Sequence, residues 1–270
     1  MKRKNIIILI LTAVCFLNLQ AQTTGDEYLP KAGTVALGAT ANISNLFINT
    51  IPGSDPIAPT LCVKYYVLDR LAIRATVGVN TTNRLDKFNV RDDAAFVSDP
   101  LSNKELIDTK KTLKTYFNSA IAVQQFFGDS KLRGFVGIQG LYNNQSGSVS
   151  NSYANTMNTF NPSPSAMNGA STQRILEQQN ASTYSVGGGL IAGFEYFVLP
   201  HLSIGGEISL NAIYSKTGQV STKSETVVND QVLTVDKVIS SGGSVFNLQS
   251  LGYGHKDAAN QLGIYIMYNF

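Results

Sequence analysis

The sequence has little of what soluble enzymes are usually built from. Its 270 residues include no Trp, two Cys and two His, and only 14% of them are charged, against about 25% in a typical soluble domain. Nor does any internal stretch stay apolar for the roughly 20 residues that a membrane-spanning helix needs. These absences disfavour both an ordinary cytosolic enzyme and a helical membrane protein.

The first 21 residues have the layout of a secretory signal peptide. Positive residues 2–4 precede an apolar run at 6–17, and the small residue Ala21 closes the segment. Cys15 lies inside the apolar run and follows Val14, which does not fit a lipoprotein signal. Removal of 1–21 leaves 249 residues with 18 Lys+Arg against 18 Asp+Glu, so charge gives no case for nucleic acid as a partner. Cys62 then stands alone, and an intrachain disulfide is excluded.

The rest of the chain alternates between apolar and small or polar residues with a period of two. This period indicates β-strands that each carry one apolar face. The facing of the fifth strand stays ambiguous, because Phe135 and Val136 are adjacent and both apolar. The pattern predicts eight strands, at residues 34–47, 61–67, 71–80, 112–127, 132–143, 184–196, 202–214 and 262–270.

The connections between these strands alternate in length. Those near 69, 128–131 and 199–201 are short, whereas 48–59, 81–111, 144–182 and 216–259 are long and polar. An antiparallel barrel places alternate connections on opposite sides of a membrane, and this sorting is typical of outer-membrane barrels. We therefore predict an all-β fold: an eight-stranded antiparallel transmembrane up-and-down β-barrel with short periplasmic turns and long extracellular loops. It is expected over 33–270, after a short N-terminal segment at 22–32.

A soluble β-sandwich or a small ligand-binding barrel is the competing interpretation. In such a fold the bulky apolar face points inward and the outward face is richly charged. Here the faces that are not apolar consist mainly of Gly, Ser, Thr, Asn and Ala. Small polar side chains suit the lumen of a narrow eight-stranded barrel. The pattern favours the membrane barrel.

The alternating tail 262–270, which ends on Phe270, resembles the C-terminal strand that bacterial barrel-assembly machinery recognises. The hairpins at 61–79 and 194–207 resemble those of small outer-membrane barrels of the OmpX, OmpW and OmpA-barrel type, here without a periplasmic domain. The resemblance implies export to the outer membrane of a Gram-negative bacterium. It also implies contact with outer-membrane lipid and lipopolysaccharide, and with the assembly machinery through Ile266, Tyr268 and Phe270.

Several charged residues occupy the alternate strand positions that are predicted to face the lumen. Such residues can fill a narrow lumen as paired charges, or they can form a gate in an ion path; the sequence leaves both roles open. Arg133 belongs to the uncertain fifth strand. We predict one interior network made of Lys64, Arg74, Lys114, Glu195 and Glu207.

No catalytic or metal site is expected. His201, Ser203 and Glu207 have the residue types of a hydrolytic triad, but they fall at a predicted periplasmic turn, on the wrong side for a lipid substrate in the outer leaflet. His255 has no companion ligand, so neither a metal nor a cofactor is supported.

The long connections are the candidate binding regions, since binding residues usually lie on loops held by a rigid scaffold. Within them, 171–179 predicts one short helix, and 226–235 predicts a hairpin that turns at Asn229-Asp230. The leading hypothesis is a non-enzymatic surface barrel with a structural, adhesion or assembly-subunit role. Porin-like transport of small solutes or apolar molecules is the alternative, and an outer-membrane lipid hydrolase is a third possibility that lacks catalytic groups on the outer half.

Overall fold

A computed structural model of the chain describes residues 28–42, 60–240, 242–249 and 262–270. The predicted signal peptide, Cys15, the connection at 48–59 and His255 lie outside the described residues. The strands are β1 (Val35–Asn42), β2 (Thr60–Leu68), β3 (Leu71–Arg91), β4 (Glu105–Phe127), β5 (Leu132–Ser152), β6 (Gln173–Leu199), β7 (Leu202–Thr217), β8 (Val220–Val228), β9 (Gln231–Ser240), β10 (Gly243–Gln249) and β11 (Leu262–Asn269). One short helix, α1 (Asp93–Ser98), lies between β3 and β4.

Eight of these strands form a closed antiparallel ring. Consecutive strands from β1 to β7 pair with one another, and β11 pairs with both β7 and β1. The closing ladder runs from Ala36 opposite Asn269 to Asn42 opposite Gly263. The predicted eight-stranded up-and-down barrel is therefore confirmed.

The remaining three strands, β8, β9 and β10, extend the barrel wall beyond the ends of β7 and β11. We call the end with the short turns the lower end and the opposite end the upper end. β8 follows β7 upward along β6, and β9 returns along β8. β10 then pairs with β7 down to Gln249 opposite Asn211, and β11 resumes at Leu262 opposite Ile208.

Much of the connections 81–111 and 144–182 is strand, which corrects the expectation that they are loops. β3 and β4 stay paired up to Arg91 opposite Glu105, and β5 pairs with β6 up to Ser150 opposite Glu177. The helix predicted at 171–179 is wrong, because β6 already begins at Gln173. In these upper parts both faces of a strand meet water. The apolar–polar alternation that identifies strands in a sequence therefore disappears, although the backbone hydrogen-bond ladder continues.

The hairpin predicted around Asn229-Asp230 is confirmed. Both residues have positive φ, 49° and 58°, as the tight turn of a two-residue hairpin requires. Asn and Asp tolerate this left-handed backbone better than other residues with a side chain. The hairpin is longer than predicted, since β8 and β9 pair from Val228 opposite Gln231 to Val220 opposite Ser240.

Side chains alternate between a buried lumen face and an exposed outer face. On the outer face, large apolar side chains are exposed along each strand of the ring, among them Leu61, Ile121 and Leu190. The fifth strand obeys the same rule: Arg133 and Phe135 are buried, whereas the next residue, Val136, is exposed. The barrel is therefore apolar outside and polar or aromatic inside, the reverse of a soluble barrel.

One loop at the upper end, residues 153–172, is held in place by buried carboxylates. Asp108, which is fully buried, accepts hydrogen bonds from the backbone N–H groups of Ala154 and Met167, at 2.8 and 2.9 Å. Asn155 donates to the carbonyls of Arg91 and Ser165, at 2.7 and 2.9 Å. These bonds tie the loop to the tips of β3 and β4.

Asp93 at the start of α1 anchors the same loop. Partial burial raises the pKa of its carboxyl, but hydrogen bonds from Ser165, Asn161 and Arg91 together lower that pKa to about 2. The carboxylate is therefore ionised at all ordinary pH values and keeps accepting the bonds from Ser165, of which the side-chain bond measures 2.6 Å. The loop is a packed element of the upper end.

Among the described residues, no helix has the length and apolar character that crossing a membrane would require.

We predict that Asp108→Ala loosens the 153–172 loop without unfolding the ring. Removal of the carboxylate leaves two backbone N–H groups without an acceptor, at a cost of about 1–3 kcal/mol for a buried donor. Hydrogen–deuterium exchange should accelerate in 153–172 and stay unchanged in β1, β2 and β11. Asp236→Ala, on the exposed strand β9, is the matched control and should alter neither region. Equal exchange in the Asp108 variant and the parent would contradict this account of the loop.

Candidate functional site in the barrel interior

The lower part of the lumen centres on an ion pair between Lys64 and Glu195. Lys64 Nζ lies 3.0 and 3.1 Å from the two carboxylate oxygens, and both side chains are fully buried. β2 and β6 are four strands apart in the ring of eight. The pair therefore spans the lumen from one wall to the opposite wall.

Neighbouring hydroxyls complete the hydrogen bonding of the Glu195 carboxylate. Ser203 Oγ donates to Oε1 at 2.7 Å, and the Tyr66 hydroxyl donates to Oε2 at 3.3 Å. The ammonium group of Lys64 also lies 5.1 Å from the ring centroids of Phe126 and Tyr265. Several partners thus offset the cost of removing two charges from water.

An aromatic layer with Arg133 at its centre fills the lumen below this pair. The Arg133 guanidinium carbon lies 4.5 Å from the Phe126 ring centroid and 5.1 Å from that of Phe197. One guanidinium nitrogen donates to the Asp69 carbonyl at 3.2 Å. Arg133, Phe126 and Phe197 are at most 1% exposed, so the lower end of the lumen is closed by side chains.

A second ion pair, Arg74 with Glu207, lies beside the first. It also joins opposite walls, because β3 and β7 are four strands apart. Lys64 and Arg74 face each other across the β2–β3 ladder. The structure thus brings four of the five residues predicted for the interior network together as two adjacent cross-lumen pairs.

Lys114 does not join this cluster, which corrects its predicted place in the network. Its parity matches that of the lumen face, but it pairs with Thr82 on the upper extension of β3 and β4, where the side chain is exposed. The described parts of β1 and β2 end below that height. The odd or even position of a residue decides which face of the strand its side chain occupies. Its distance from the lower end decides whether the lumen encloses that side chain.

Above the Arg74–Glu207 pair the lumen is lined by hydroxyl and carboxamide side chains. They surround a cavity of about 50 Å³, enough for a few water molecules. Gln139 donates to the Asn211 carboxamide oxygen at 2.8 Å. The cavity is lined by Thr40, Arg74, Thr76, Asn118, Ser119, Ala120, Gln139, Leu141, Asn143, Glu207, Asn211 and Gly263.

The three residues of the considered hydrolytic triad are engaged elsewhere. Ser203 donates to Glu195, Glu207 pairs with Arg74, and His201 Nδ1 lies 3.0 Å from the backbone carbonyl of Asn269. Within the described ranges, no three His, Cys, Asp or Glu side chains are grouped so that they could hold a metal ion.

Sequence reasoning did not identify the central role of Arg133 or the buried Asp108. Arg133 lies opposite Glu195 in the β5–β6 ladder, so its lumen facing follows once the register of these two strands is known. Asp108 lies in what the sequence indicated as a loop, where a carboxylate gives no signal of burial.

The solved structures that are similar to this chain include three of outer-membrane proteins. A major outer membrane protein from Thermus thermophilus matches with 15% identity and a TM-score of 0.39, over 88% of this chain and 100% of that chain. OprG from Pseudomonas aeruginosa matches with 14% identity and a TM-score of 0.29, over 89% and 97%. The N-terminal β-barrel domain of OprF from the same organism matches with 10% identity and a TM-score of 0.28, over 89% and 100%.

No protein-family model and no curated protein matches the chain significantly. Because the structural identities and TM-scores are low, the assignment of the fold rests on the strand pairing described above. That pairing gives the eight-stranded barrel of the small outer-membrane type that the sequence resembles.

We predict that Glu195→Gln destabilises the barrel by about 3–5 kcal/mol, because it leaves the Lys64 ammonium buried without a counter-charge. Urea unfolding in detergent micelles measures the loss. The double variant Lys64→Met/Glu195→Leu, which removes both charges, should recover most of the stability. If Glu195→Gln unfolds at the same urea concentration as the parent, the pair does not stabilise the lumen.

Proposed function

We propose that the chain is an integral outer-membrane protein without enzymatic activity, whose closed barrel anchors a tall, rigid extracellular wall that makes contacts at the cell surface. The observation that carries the proposal is the closed lower lumen, with Lys64, Glu195 and Arg133 all buried. A barrel that is filled in this way serves as a scaffold, and the working surface then lies above it.

The outer surface of the ring supports the membrane location. The outward positions between two aromatic girdles carry no charged residue in the described strands. Ten residues of β4 separate the girdles, which at a usual strand tilt amounts to about 25 Å, the height of an outer-membrane apolar belt. The upper girdle comprises Phe117, Tyr142, Tyr184 and Tyr214, and the lower girdle Tyr65, Phe127, Phe194, Tyr268 and Phe270.

The wall above the upper girdle supports the contact role. β3 to β6 continue above the girdle as one hydrogen-bonded sheet, and the pinned loop 153–172 caps it. Ordered surfaces bind partners at a lower entropic cost than flexible loops. Adhesion, or a subunit role in a larger envelope assembly that touches lipopolysaccharide, fits this geometry.

One observation favours the alternative of small-solute transport. Buried polar atoms that lack a hydrogen-bond partner concentrate around the closed layer: the Gln124 carboxamide, two guanidinium nitrogens of Arg133 and Nε of Arg74. Buried groups without partners are expensive and mark places where a network can rearrange. A transport role would require this layer to open.

We infer a second role for the last strand, in assembly. Phe270 N–H donates to the Val35 carbonyl at 2.8 Å, and the Tyr268 and Phe270 rings pack edge to face at 4.9 Å. Ile266, Tyr268 and Phe270 all point outward and are about half exposed or more. An assembly machinery can therefore read these three side chains before the barrel closes.

We predict that the purified parent shows no steady ion conductance in planar bilayers, because the aromatic and ion-pair layers block the lumen. Removal of the central guanidinium group by Arg133→Ala should create measurable conductance. Lys114→Ala, at an exposed position of the upper wall, should not. Steady conductance of the parent would favour transport over the proposed scaffold.

We also predict that Phe270→Asp impairs assembly in cells more than it impairs folding. Near the membrane interface such a substitution costs only about 0–1 kcal/mol in a folded barrel. Heat-modifiable protein in outer-membrane fractions should fall strongly, while refolding in detergent stays near normal. Phe160→Asp, at a loop residue that is 99% exposed, is the control and should affect neither. Equal, mild effects of Phe270→Asp in both measurements would leave Phe270 as an ordinary girdle residue.

A further inference from the structure

The inner face of the upper wall carries a groove of about 570 Å³ with an excess of positive charge. It lies on the β3–β4 ladder above the point where β2 ends. Three cationic residues of inward parity (Arg84, Lys110 and Lys114) and one carboxylate residue (Asp86) line it, and Lys87, of outward parity, also contributes to the lining. The lining residues are Thr82, Arg84, Asp86, Lys87, Phe88, Lys110, Thr112 and Lys114.

Most of this positive charge has no carboxylate partner in the described part of the chain. Arg84 Nε binds Asp86 at 2.7 Å. Among the described residues, no carboxylate lies within 4.0 Å of the ammonium groups of Lys87, Lys110 or Lys114. The nearby Asp108 is committed to the backbone of the 153–172 loop. Cations that are held close together without counter-ions favour an anionic ligand.

The arrangement of the cations indicates an extended ligand. Lys114 lies opposite Thr82, Arg84 opposite Thr112 and Lys110 opposite Asp86, so cations occur on three successive inward rungs. At a usual strand rise, Lys110 and Lys114 lie about 14 Å apart along β4. A chain of linked phosphates can contact both without either side chain bending toward the other. The hydroxyls of Thr82 and Thr112 between them can donate to phosphate oxygens.

The orientation of the groove indicates which source of phosphate it meets. The groove faces the inside of the wall, away from the lipid-facing side that carries the girdles. Membrane lipid headgroups therefore meet the opposite face of β3 and β4. The inner face is where a soluble molecule would bind, and Lys114 is exposed there.

We propose that this groove binds a soluble, extended polyanion of phosphate chemistry at the cell surface. The inference extends the proposed contact role of the wall, but it does not depend on whether the lumen conducts. The cations supply charge-assisted contacts, which weaken as salt screens them.

The test measures binding of a labelled inorganic polyphosphate chain to the full-length protein in zwitterionic micelles, by fluorescence anisotropy. The Lys110→Gln/Lys114→Gln variant should bind about tenfold more weakly than the parent, as expected for two lost exposed contacts. The matched control, Lys111→Gln/Lys237→Gln, removes the same charge from exposed positions outside the groove and should bind within about twofold of the parent. Heat-modifiable migration confirms that each variant is folded.

Several results would overturn the proposal: no binding by the parent, or an equal loss of affinity in the two double variants. In a second arm, the protein in nanodiscs is tested for enrichment of phosphatidate. Enrichment that depends on Lys110 and Lys114, without binding of free polyphosphate, would assign the groove to lipid headgroups and contradict a soluble ligand. A parent that conducts ions but binds polyphosphate through these lysines would overturn the scaffold function alone.

Discussion

The pairing of the first strand with the last is the constraint on which the rest of this structure depends. β1 and β11 share one antiparallel ladder, so the backbone groups along this seam are satisfied. In lipid an unpaired sheet edge would be too costly to persist. Closure with eight strands leaves a lumen so narrow that side chains fill it. The cross-lumen pairs Lys64–Glu195 and Arg74–Glu207 follow from that confinement, because side chains from opposite walls meet within the lumen.

The ring and its facing were predictable from the sequence because the two faces of its strands meet different surroundings. An apolar outer face and a packed lumen give residues such as those of β2 and β11 their period of two. The upper wall lacks that contrast. β3 and β4 above Val79 and Phe117 meet water on both faces, and the sequence there looked like loop although the ladder continues.

The interior site was predictable only in part, for a related reason. Parity assigned Lys64, Arg74, Glu195 and Glu207 to the lumen, and the turn positions gave them a similar height. Which charge pairs with which depends on position around the ring, and that requires the complete strand order. Lys114 shows the opposite case: its position has the parity of the lumen face, but it lies above the described parts of β1 and β2 and its side chain is exposed.

The central claim is that the belt between the two aromatic girdles faces lipid and that the wall above it faces water. Because the chain has no Trp, a single introduced Trp reports its own surroundings without background. The most direct measurement is fluorescence quenching by brominated lipid chains for Leu190→Trp, within the belt, and Ile107→Trp, on the upper wall; both positions are outward and more than half exposed. The account predicts strong quenching of the first and little of the second. Equal quenching of both, or stronger quenching at position 107, would contradict it.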